Sequence, residues 1–450
     1  MASASTATNI YRTIWRWHFY AGLFVMPFIV ILALSGTLYL FKPQIERWEE
    51  RDFRSPAGVA TVLPHQQLEA AMAAYPGAQF LGYRLPERPG DSALIQLSQP
   101  AGAGPVEVFV GPEGKVAGSL MPEDRIMALV LRVHSELLAG TPGNRLVELA
   151  ASWVILMILS GLYLWWPRGG GAAGVVWPRL GRGSRVFWRD LHAVTGFWIS
   201  GLALILLLTG LPWTEVWGGA FKAARQEFGW VKGASTWQIT HAAPDASADP
   251  HAGHGMVDEK NMGPANFAPQ AFDAMVARAR AEGLAFPAIV TPPGAPGRFG
   301  QPGEPVWTIR SDALNVPLQQ TIRFDSPATQ ELSRERFADE HVVDRVVGYG
   351  IAWHQGQLFG PLNQLIGVLT ALGLVTMAVS GFVMWRRRKP AGRLGAPPAA
   401  QTGSPLIMVL LIFCALLLPL VAASVLLIWF ADKLLLPRIP KAAEWLGVRP

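Results

Sequence analysis

Five apolar runs, each long enough to cross a lipid bilayer, constrain this sequence more than any other feature. A membrane-spanning helix needs roughly 20 apolar residues, and tryptophan near the ends of several runs is typical of the bilayer interface. Only 16% of the residues are charged, whereas soluble chains carry about a quarter. The sequence predicts an α-helical integral membrane protein with about five transmembrane helices. The runs are Ile14–Phe41, Leu146–Trp166, Leu191–Trp213, Leu362–Trp385 and Leu406–Phe430.

The placement of arginine and lysine predicts the orientation of these spans. Basic residues are concentrated in two short loops, one between the second and third spans and one directly after the fourth. By the positive-inside rule these loops are cytoplasmic, so the long segments near 42–145 and 214–361 are expected outside, together with the C-terminus. The net charge of +6 then reflects orientation and does not indicate a nucleic-acid partner. The loop residues are Arg168, Arg179, Arg182, Arg185 and Arg189, then Arg386, Arg387, Arg388 and Lys389.

The two ends of the chain and its single cysteine add three expectations. The first run follows Arg12 and Arg16 as in a signal peptide, but it is too long and lacks a clear cleavage site, so an uncleaved span is predicted. A lone Cys414 excludes an internal disulfide, a cysteine-rich zinc site, an iron–sulfur cluster and covalently attached haem. We expect a multi-pass protein of the bacterial inner membrane with large periplasmic segments. Four basic residues of the tail are unusual on an outer side: Lys433, Arg438, Lys441 and Arg449.

Two histidine spacings recur in the two halves of the chain. In each half, one histidine opens the first span and a second one precedes the next span. This agreement predicts two copies of a unit made of span, outer domain, histidine helix and span, followed by a fifth span. Both copies begin on the same side, so a pseudo-symmetry axis is expected along the membrane normal. The matched spacings are His18 to Gly36 and His192 to Gly210, 18 residues each, and His134 to Gly161 and His354 to Gly381, 27 residues each.

Each long outer segment predicts a small α+β unit, because an amphipathic helix is followed by alternating strands and turn residues. Helices are expected at Pro64–Tyr75 and Pro269–Glu282. Strands are expected near Gln79–Arg84, Ala93–Leu97, Val106–Val110 and from Lys115, then near Val306–Arg310 and Gln319–Phe324. The predicted division is 1–41 (tail and first span), 42–121 (first outer unit), 122–189 (histidine helix, second span, basic loop), 190–213 (third span), 214–339 (linker and second outer unit), 340–404 (histidine helix, fourth span, basic loop) and 405–450 (fifth span and tail).

The four repeated histidines are the candidate functional residues. The repeat pairs His18 with His192 near the cytoplasmic face and His134 with His354 near the outer face. Neutral imidazole is a good axial ligand of haem iron, and a bis-histidine iron suits electron transfer because it leaves no open position. A single histidine at the end of a span is more often an interfacial polar residue. Four of them at matched offsets favour two haems.

Several other residues accompany the histidines as candidates. Arg16 and Arg189 at the inner pair, and Arg132 and Arg345 at the outer pair, are candidate partners for haem propionates. A helical metal site without haem is disfavoured, because carboxylates at i+3 or i+4 are not evident. The glycines from Gly169 to Gly174 match a dinucleotide fingerprint, but they lack the strand and the space for a βαβ unit. The loop histidines His241, His251 and His254 are weak candidates for copper or iron, with Met256 and Met262 nearby.

Five short motifs resemble the PepSY-associated transmembrane family of iron-regulated bacterial inner-membrane proteins, which includes siderophore–iron reductases. The resemblance extends to about Arg388 and implies PepSY modules outside, b-type haem, and periplasmic reduction of ferric siderophores. Gln355 departs from a more usual glutamate after the histidine, which leaves the ligand intact. The fifth span and the loop with His241 are not obviously part of the family core. The motifs are Trp15–His18, His134–Leu138, Gly161–Pro167, Asp190–Gly196 and His354–Gly360.

Together these patterns predict a haem-dependent oxidoreductase of the membrane. Two b-type haems would carry electrons from a quinol or a cytoplasmic reductase to a ferric siderophore or another ferric chelate. One alternative is a non-enzymatic binding or regulatory protein, since PepSY modules are associated with peptidase inhibition. The other is a transporter of the siderophore or metal, although broken helices with polar residues near the bilayer midplane are not seen in the sequence.

Overall fold

The computed structural model describes residues 2–55, 60–100, 104–167, 173–230, 267–296, 303–397, 409, 413–414 and 416–448. The chain divides into two units, each assembled from segments that are far apart in sequence. Met1–Thr37, Arg132–Ala224 and Leu365–Pro450 form what we call the helical unit. Leu38–Leu131 and Arg225–Gln364 form the sheet unit.

Helices and strands alternate in blocks along the chain. The helices are α1 (Ala2–Leu40), α2 (Lys42–Glu49), α3 (Pro64–Ala74), α4 (Ile126–Glu136), α5 (Gly140–Trp165), α6 (Ser184–Gly210), α7 (Val216–Glu227), α8 (Pro269–Glu282), α9 (Val342–His354), α10 (Pro361–Arg388), α11 (Pro419–Phe430) and α12 (Pro440–Leu446). The strands are β1 (Gln79–Arg84), β2 (Ala93–Ser98), β3 (Pro105–Val110), β4 (Val116–Leu120), β5 (Ala288–Thr291), β6 (Trp307–Ser311), β7 (Gln320–Phe324) and β8 (Glu331–Arg336).

Five helical segments are long and apolar enough to cross a membrane, so the chain is a multi-pass membrane protein. Backbone polar groups find no water inside a bilayer and must bond within the segment, which is why unbroken apolar runs become helices. The 26 residues of α5 extend roughly 39 Å at 1.5 Å per residue, enough to cross the hydrocarbon core. The segments are Ile10–Leu40, Gly140–Trp165, Ser184–Trp213, Pro361–Arg388 and Pro419–Arg438.

The fifth apolar run differs from the prediction. We expected one span over Leu406–Phe430, but the helix is interrupted at Leu418 and α11 begins at Pro419. Leu418 has φ −131° and ψ 82°, outside the helical region. A proline has no backbone N–H and disfavours the helical conformation of the residue before it, which accounts for the interruption. The spanning segment found in the structure runs instead from Pro419 to Arg438.

The described residues after the break place α12 at the end of the helical unit opposite to the one predicted for the C-terminal segment. At one end of the helical unit, Trp217 Nε1 donates to the carbonyl of Leu417, which directly precedes the break. From there α11 runs back along α5, where Trp153 Nε1 donates to Ser424 Oγ. The following helix, α12, then lies at the end that carries Arg16. The hydrogen bonds that hold it there are Arg16 Nη2 to Gly447 O (2.8 Å), Tyr20 OH to Leu446 O (2.5 Å) and Leu394 N to Trp445 O (2.9 Å).

This end also carries the basic loops, because Arg387 Nη1 bonds Ser184 Oγ at the start of α6. The prediction of an outer C-terminus was therefore wrong. It counted the fifth run as one crossing, whereas Leu417 lies at the opposite end of the helical unit and α12 lies at the arginine-rich end. The return explains the basic tail residues: Lys441 of α12 lies in a segment that packs at the arginine-rich end.

We predict that a reporter fused after Pro450 will report the same compartment as a reporter inserted at Gly174. Matched insertions at Ala101 and Gln301 should report the other compartment, as the arginine placement predicts. Paired alkaline phosphatase and green fluorescent protein fusions would report the two compartments, because each reporter is active on one side of the membrane. A C-terminal fusion that agrees with Ala101 and not with Gly174 would contradict the returning path of α11.

The strands of the sheet unit form one continuous sheet in the order β4-β3-β2-β1-β5-β6-β7-β8. The first four strands and the last four are each consecutive antiparallel neighbours. They are joined where β1 pairs with β5, with Tyr83 opposite Val290 and Arg84 opposite Ile289. We predicted β1, β2 and β3 closely, but β5 and β8 were missed. The two expected outer units therefore share one sheet.

Helices α3 and α8 cover one face of this sheet. Alternate strand residues point into the core beneath them, including Tyr83, Val108, Ile309 and Trp307. A bidentate contact joins the two helices, because His65 N and Nδ1 lie 2.9 and 2.6 Å from the two carboxylate oxygens of Asp273. The intervening residues of the strands, such as Arg84 and Glu107, face the other side of the sheet.

Candidate functional site

His18 lies on α1, where its ring meets a Ser-Gly pair on α5. His18 Nδ1 is 2.9 Å from Ser160 Oγ. The ring is so close to Gly161 that a Cβ built on that glycine would be 3.2 Å from His18 Cε1. The glycine thus leaves room for the imidazole, and the serine fixes one of its nitrogens.

His192 on α6 has the same environment on α10. Its Nδ1 lies 3.1 Å from both Ser380 Oγ and the carbonyl of Met377. Gly381 packs beside the ring, and a Cβ there would lie 3.5 Å from Cε1. The side chains of His18 and His192 are near enough to interact electrostatically. The two histidines that the sequence repeat paired thus have matching environments, each against a Ser-Gly pair of another helix.

His134, near the C-terminal end of α4, repeats the contact a third time. Its Nδ1 is 3.0 Å from Ser35 Oγ on α1. A Cβ on Gly36 would lie 3.0 Å from His134 Cε1. His354 ends α9 and belongs to the sheet unit, whereas His134 belongs to the helical unit. The pairing of His134 with His354 stays a prediction.

The partners of each Nδ1 bear on which ring nitrogen carries the proton. Each hydroxyl has one hydrogen, and each has a backbone carbonyl to receive it: Ser35 to Ile31 O (2.8 Å), Ser160 to Met157 O (3.1 Å) and Ser380 to Thr376 O (2.6 Å). A hydroxyl that donates to its carbonyl accepts from the imidazole, an arrangement that is compatible with a proton on Nδ1. For His192 the carbonyl of Met377 requires the same tautomer. The lone pair is then on Nε2, the nitrogen that a metal would bind.

This arrangement fits the requirements of an axial haem ligand. A metal-bound histidine almost always donates its second ring N–H to an oxygen, which fixes the ring and raises its basicity. The Ser-Gly pairs provide that acceptor and the space for the ring. Within the described ranges, no group of three or more histidine, cysteine, aspartate or glutamate side chains could hold a metal ion by itself.

Three of the four arginines proposed as propionate partners already contact protein oxygens. Arg16 donates to the carbonyls of Pro397 and Gly447 and so helps to hold the C-terminal segment. Arg189 pairs with Asp190 at 2.8 Å, and Arg132 lies 3.5 Å from Glu136. Arg345 is different, because its buried Nε has no hydrogen-bond partner among the described residues.

Two buried carboxylates were missed by sequence reasoning. Asp190, two residues before His192, is completely buried and accepts from Arg179 at 2.7 Å and from Arg189. It thereby anchors the basic loop to the start of α6. At the opposite end of the helical unit, Glu148 of α5 accepts from the first two backbone N–H groups of α7, at 2.9 and 3.0 Å. An acid inside an apolar run was the available signal for Glu148.

The loop histidines His241, His251 and His254 lie outside the described residues, as do Met256 and Met262.

Comparison with known proteins identifies the family. The family model for the PepSY-associated TM region matches residues 15–388. This chain belongs to the PepSY-associated transmembrane family. The match includes the four histidines, the Ser-Gly pairs and all eight strands, and it ends where α10 ends. The C-terminal segment with α11 and α12 follows the matched region. No curated protein matches the chain.

We predict that Gly36→Ala will destabilise the protein relative to Gly201→Ala. Both glycines are helical, and alanine favours a helix by about 0.5–1 kcal/mol in either place. At Gly201 a Cβ meets nothing within 4 Å, whereas at Gly36 it meets the His134 ring at 3.0 Å. Overpacking of this kind costs about 1–3 kcal/mol. Thermal unfolding in detergent should give the Gly36 variant the lower midpoint, and equal midpoints would show that the contact with His134 is not tight.

Proposed function

We propose that this protein is a di-haem reductase of the bacterial inner membrane. It would take electrons from the cytoplasmic side or from the quinol pool and deliver them to a ferric siderophore or another ferric chelate in the periplasm. The observation that carries the proposal is the recurring histidine geometry, in which Nδ1 is fixed by serine and Nε2 retains its lone pair. His18 and His192 share this geometry and lie within electrostatic range of each other.

The residues that would hold the two b-type haems are His18 with His192 and His134 with His354. A haem held by two histidines supplies one-electron transfer without an open coordination position. Ser160, Ser380 and Ser35 are positioning residues, because they orient the imidazoles and do not themselves bind iron. Arg345 is the most suitable of the four arginines to meet a carboxylate, since its Nε has no hydrogen-bond partner in the described part of the chain.

The order of elements supports an origin by internal duplication. The series α1, α2, α3, β1–β4, α4, α5 is repeated by α6, α7, α8, β5–β8, α9, α10. The sheet order is likewise symmetrical about the β1–β5 pair. Duplication would relate His18 to His192 and His134 to His354. It is the basis for pairing the second set as well as the first.

The distribution of charge supports the sidedness that the proposal needs. The end of the helical unit with Arg16, Ser184 and Arg387 also holds α12, so the basic tail adds to the positive end. The positive-inside rule makes this end cytoplasmic. The segments that leave the other ends of the spans, 42–121 and 214–339, would then be periplasmic, on the side where a ferric chelate arrives.

We predict that the purified protein will contain two haems and that His18→Ala and His192→Ala will remove the same one. Loss of either ligand leaves the iron with one histidine. His134→Ala and His354→Ala should remove the other haem. Pigment spectra and haem-to-protein ratios measure the outcome. Two intact bis-histidine spectra after His192→Ala would refute the assignment.

Two further variants test the geometry. Ser160→Ala should keep the haem but lower its affinity roughly 10–100-fold, the usual cost of losing such a supporting contact. Ser200→Ala is the matched control, since its hydroxyl donates to the backbone carbonyl of Gly196 within the same kind of helix. His241→Ala, His251→Ala and His254→Ala should leave both haems in place, and a colourless wild-type protein would favour a regulatory role without haem.

We predict that the chemically reduced protein, mixed anaerobically with a ferric siderophore, will be reoxidised and release iron(II) to a ferrous chelator. One electron is used for each iron reduced. His134→Ala or His354→Ala should abolish the reaction. His18→Ala should spare it when the reductant is chemical but block supply from the cytoplasmic side. A reduced protein that stays reduced against a broad set of ferric chelates would end the reductase proposal, even with both haems confirmed.

A further inference from the structure

A cavity of about 720 Å³ lies within the sheet unit. It occupies the sheet face opposite to α3 and α8, because Glu107 and Phe109 line it while their neighbour Val108 points into the core. Helix α2 forms another wall. Strands from both halves contribute, with Arg84 on β1 and Arg310 on β6. A volume of this size is typical of sites for small organic ligands.

The described lining of the cavity is rich in charge, with more cations than acids. The cationic residues are Lys42, Arg47, Arg51, Arg54, Arg84, Arg88, Arg125 and Arg310. The acidic residues are Glu46, Glu50, Glu87, Asp91, Glu107 and Asp312.

Two arginines in the cavity wall are held in fixed positions. Arg84 makes a bidentate contact with Glu50 at 3.0 and 2.6 Å, and Arg125 reaches the same carboxylate at 2.6 Å. Arg125 also lies 2.8 Å from Glu107. Burial acts to raise the pKa of Glu50, but the charges of Arg84 and Arg125 outweigh it and hold the pKa below its usual value. The guanidinium groups therefore stay charged and ordered beside the cavity.

Arg88, at the rim of the cavity, is a cation without a close ion pair of its own. Its nearest acids are Asp91 at 3.5 Å and Glu87 at 3.8 Å. Both are already used at shorter distance, Asp91 by Arg54 at 2.5 Å and Glu87 by Arg47 at 2.6 Å. Half of the Arg88 side chain is exposed. Its guanidinium can meet an incoming anion without breaking a close ion pair.

Asn315 supplies a complementary polar group. Asn315 is one of the residues that line the cavity. Its side-chain Oδ1 is buried and has no hydrogen-bond partner within the described part of the chain. A buried acceptor without a donor destabilises the protein, because it has lost its hydrogen bond to water. A ligand with a hydroxyl or amide N–H would remove that cost.

We propose that this cavity binds the ferric chelate and selects anionic chelates that carry carboxylates together with hydroxyl or amide donors. The identity of the ligand as a ferric chelate rests on the proposed function, whereas the charge preference follows from the cavity wall. Arg88 would meet the carboxylates, and Asn315 would accept from a donor group. A cationic chelate would be repelled by the surplus of positive charge.

The test uses gallium(III) complexes, which resemble the ferric complexes but are not reduced. Gallium(III) citrate is the anionic probe, and the gallium(III) complex of desferrioxamine B, which keeps a protonated amine, is the cationic one. Isothermal titration of the full-length protein in detergent should show at least about tenfold tighter binding of the citrate complex. Arg88→Gln should weaken citrate binding by about 10–100-fold, the worth of a hydrogen bond to a charged group.

Arg278→Gln is the matched control. Arg278 lies on α8 in the same unit, has 49% of its side chain exposed against 50% for Arg88, and does not line the cavity. Its replacement should leave binding unchanged. Equal affinity for the two probes, or equal effects of the two substitutions, would overturn the inference. Selective citrate binding that depends on Arg88 would support the inference about the cavity even in a protein without haem. Reduction of ferric chelates that does not depend on Arg88 would support the reductase proposal alone.

Discussion

The structure of the helical unit depends on hydrogen bonds that satisfy polar side chains where water is absent. Three Ser-Gly pairs solve this problem for a histidine on another helix. His18 bonds Ser160, His192 bonds Ser380, and His134 bonds Ser35, so the contacts connect α1 with α5, α6 with α10 and α4 with α1. An imidazole left without its acceptor in such a place would cost about 1–3 kcal/mol. At His192 the neighbouring carbonyl of Met377 also selects the tautomer with the proton on Nδ1.

The sheet unit depends on a different constraint: the backbone N–H and C=O groups at the edge of a strand need hydrogen-bond partners. Four consecutive strands from one half leave β1 exposed at an edge, and four from the other half leave β5. Their antiparallel pairing removes both edges and makes one sheet. A consequence is that the cavity beneath the sheet draws its wall from both halves. Arg84 and Arg310 come from strands more than two hundred residues apart in the sequence and line the same space.

Regular patterns were the predictable part of this chain. The four unbroken apolar runs and the alternating residues of β1, β2 and β3 gave elements close to those observed, because burial repeats with the period of a helix or strand. Strand β5 was missed because its four residues, between Pro287 and Pro292, are too short to show alternation. The bounds of the fifth span were predicted wrongly because the prediction used the hydrophobicity of the whole run and ignored Pro419, where the helix is interrupted. The four arginines were predicted as propionate partners because they are near the histidines in the sequence. Proximity in sequence does not show that Arg16 donates to carbonyls of the C-terminal segment.

The sequence by itself determined the membrane-spanning character, the repeated histidines and the orientation signal of the basic loops. Each of these follows from residue type and spacing along one segment, which local physics can interpret. Only the tertiary structure decided that serine fixes Nδ1 of the histidines, that β1 and β5 merge two sheets, and that α12 returns to the arginine-rich end. These features join residues from distant segments, as with Ser35 and His134, 99 positions apart. These contacts depend on how the segments are oriented and how far apart they lie in space. The local sequence of each segment carries no signal for either quantity.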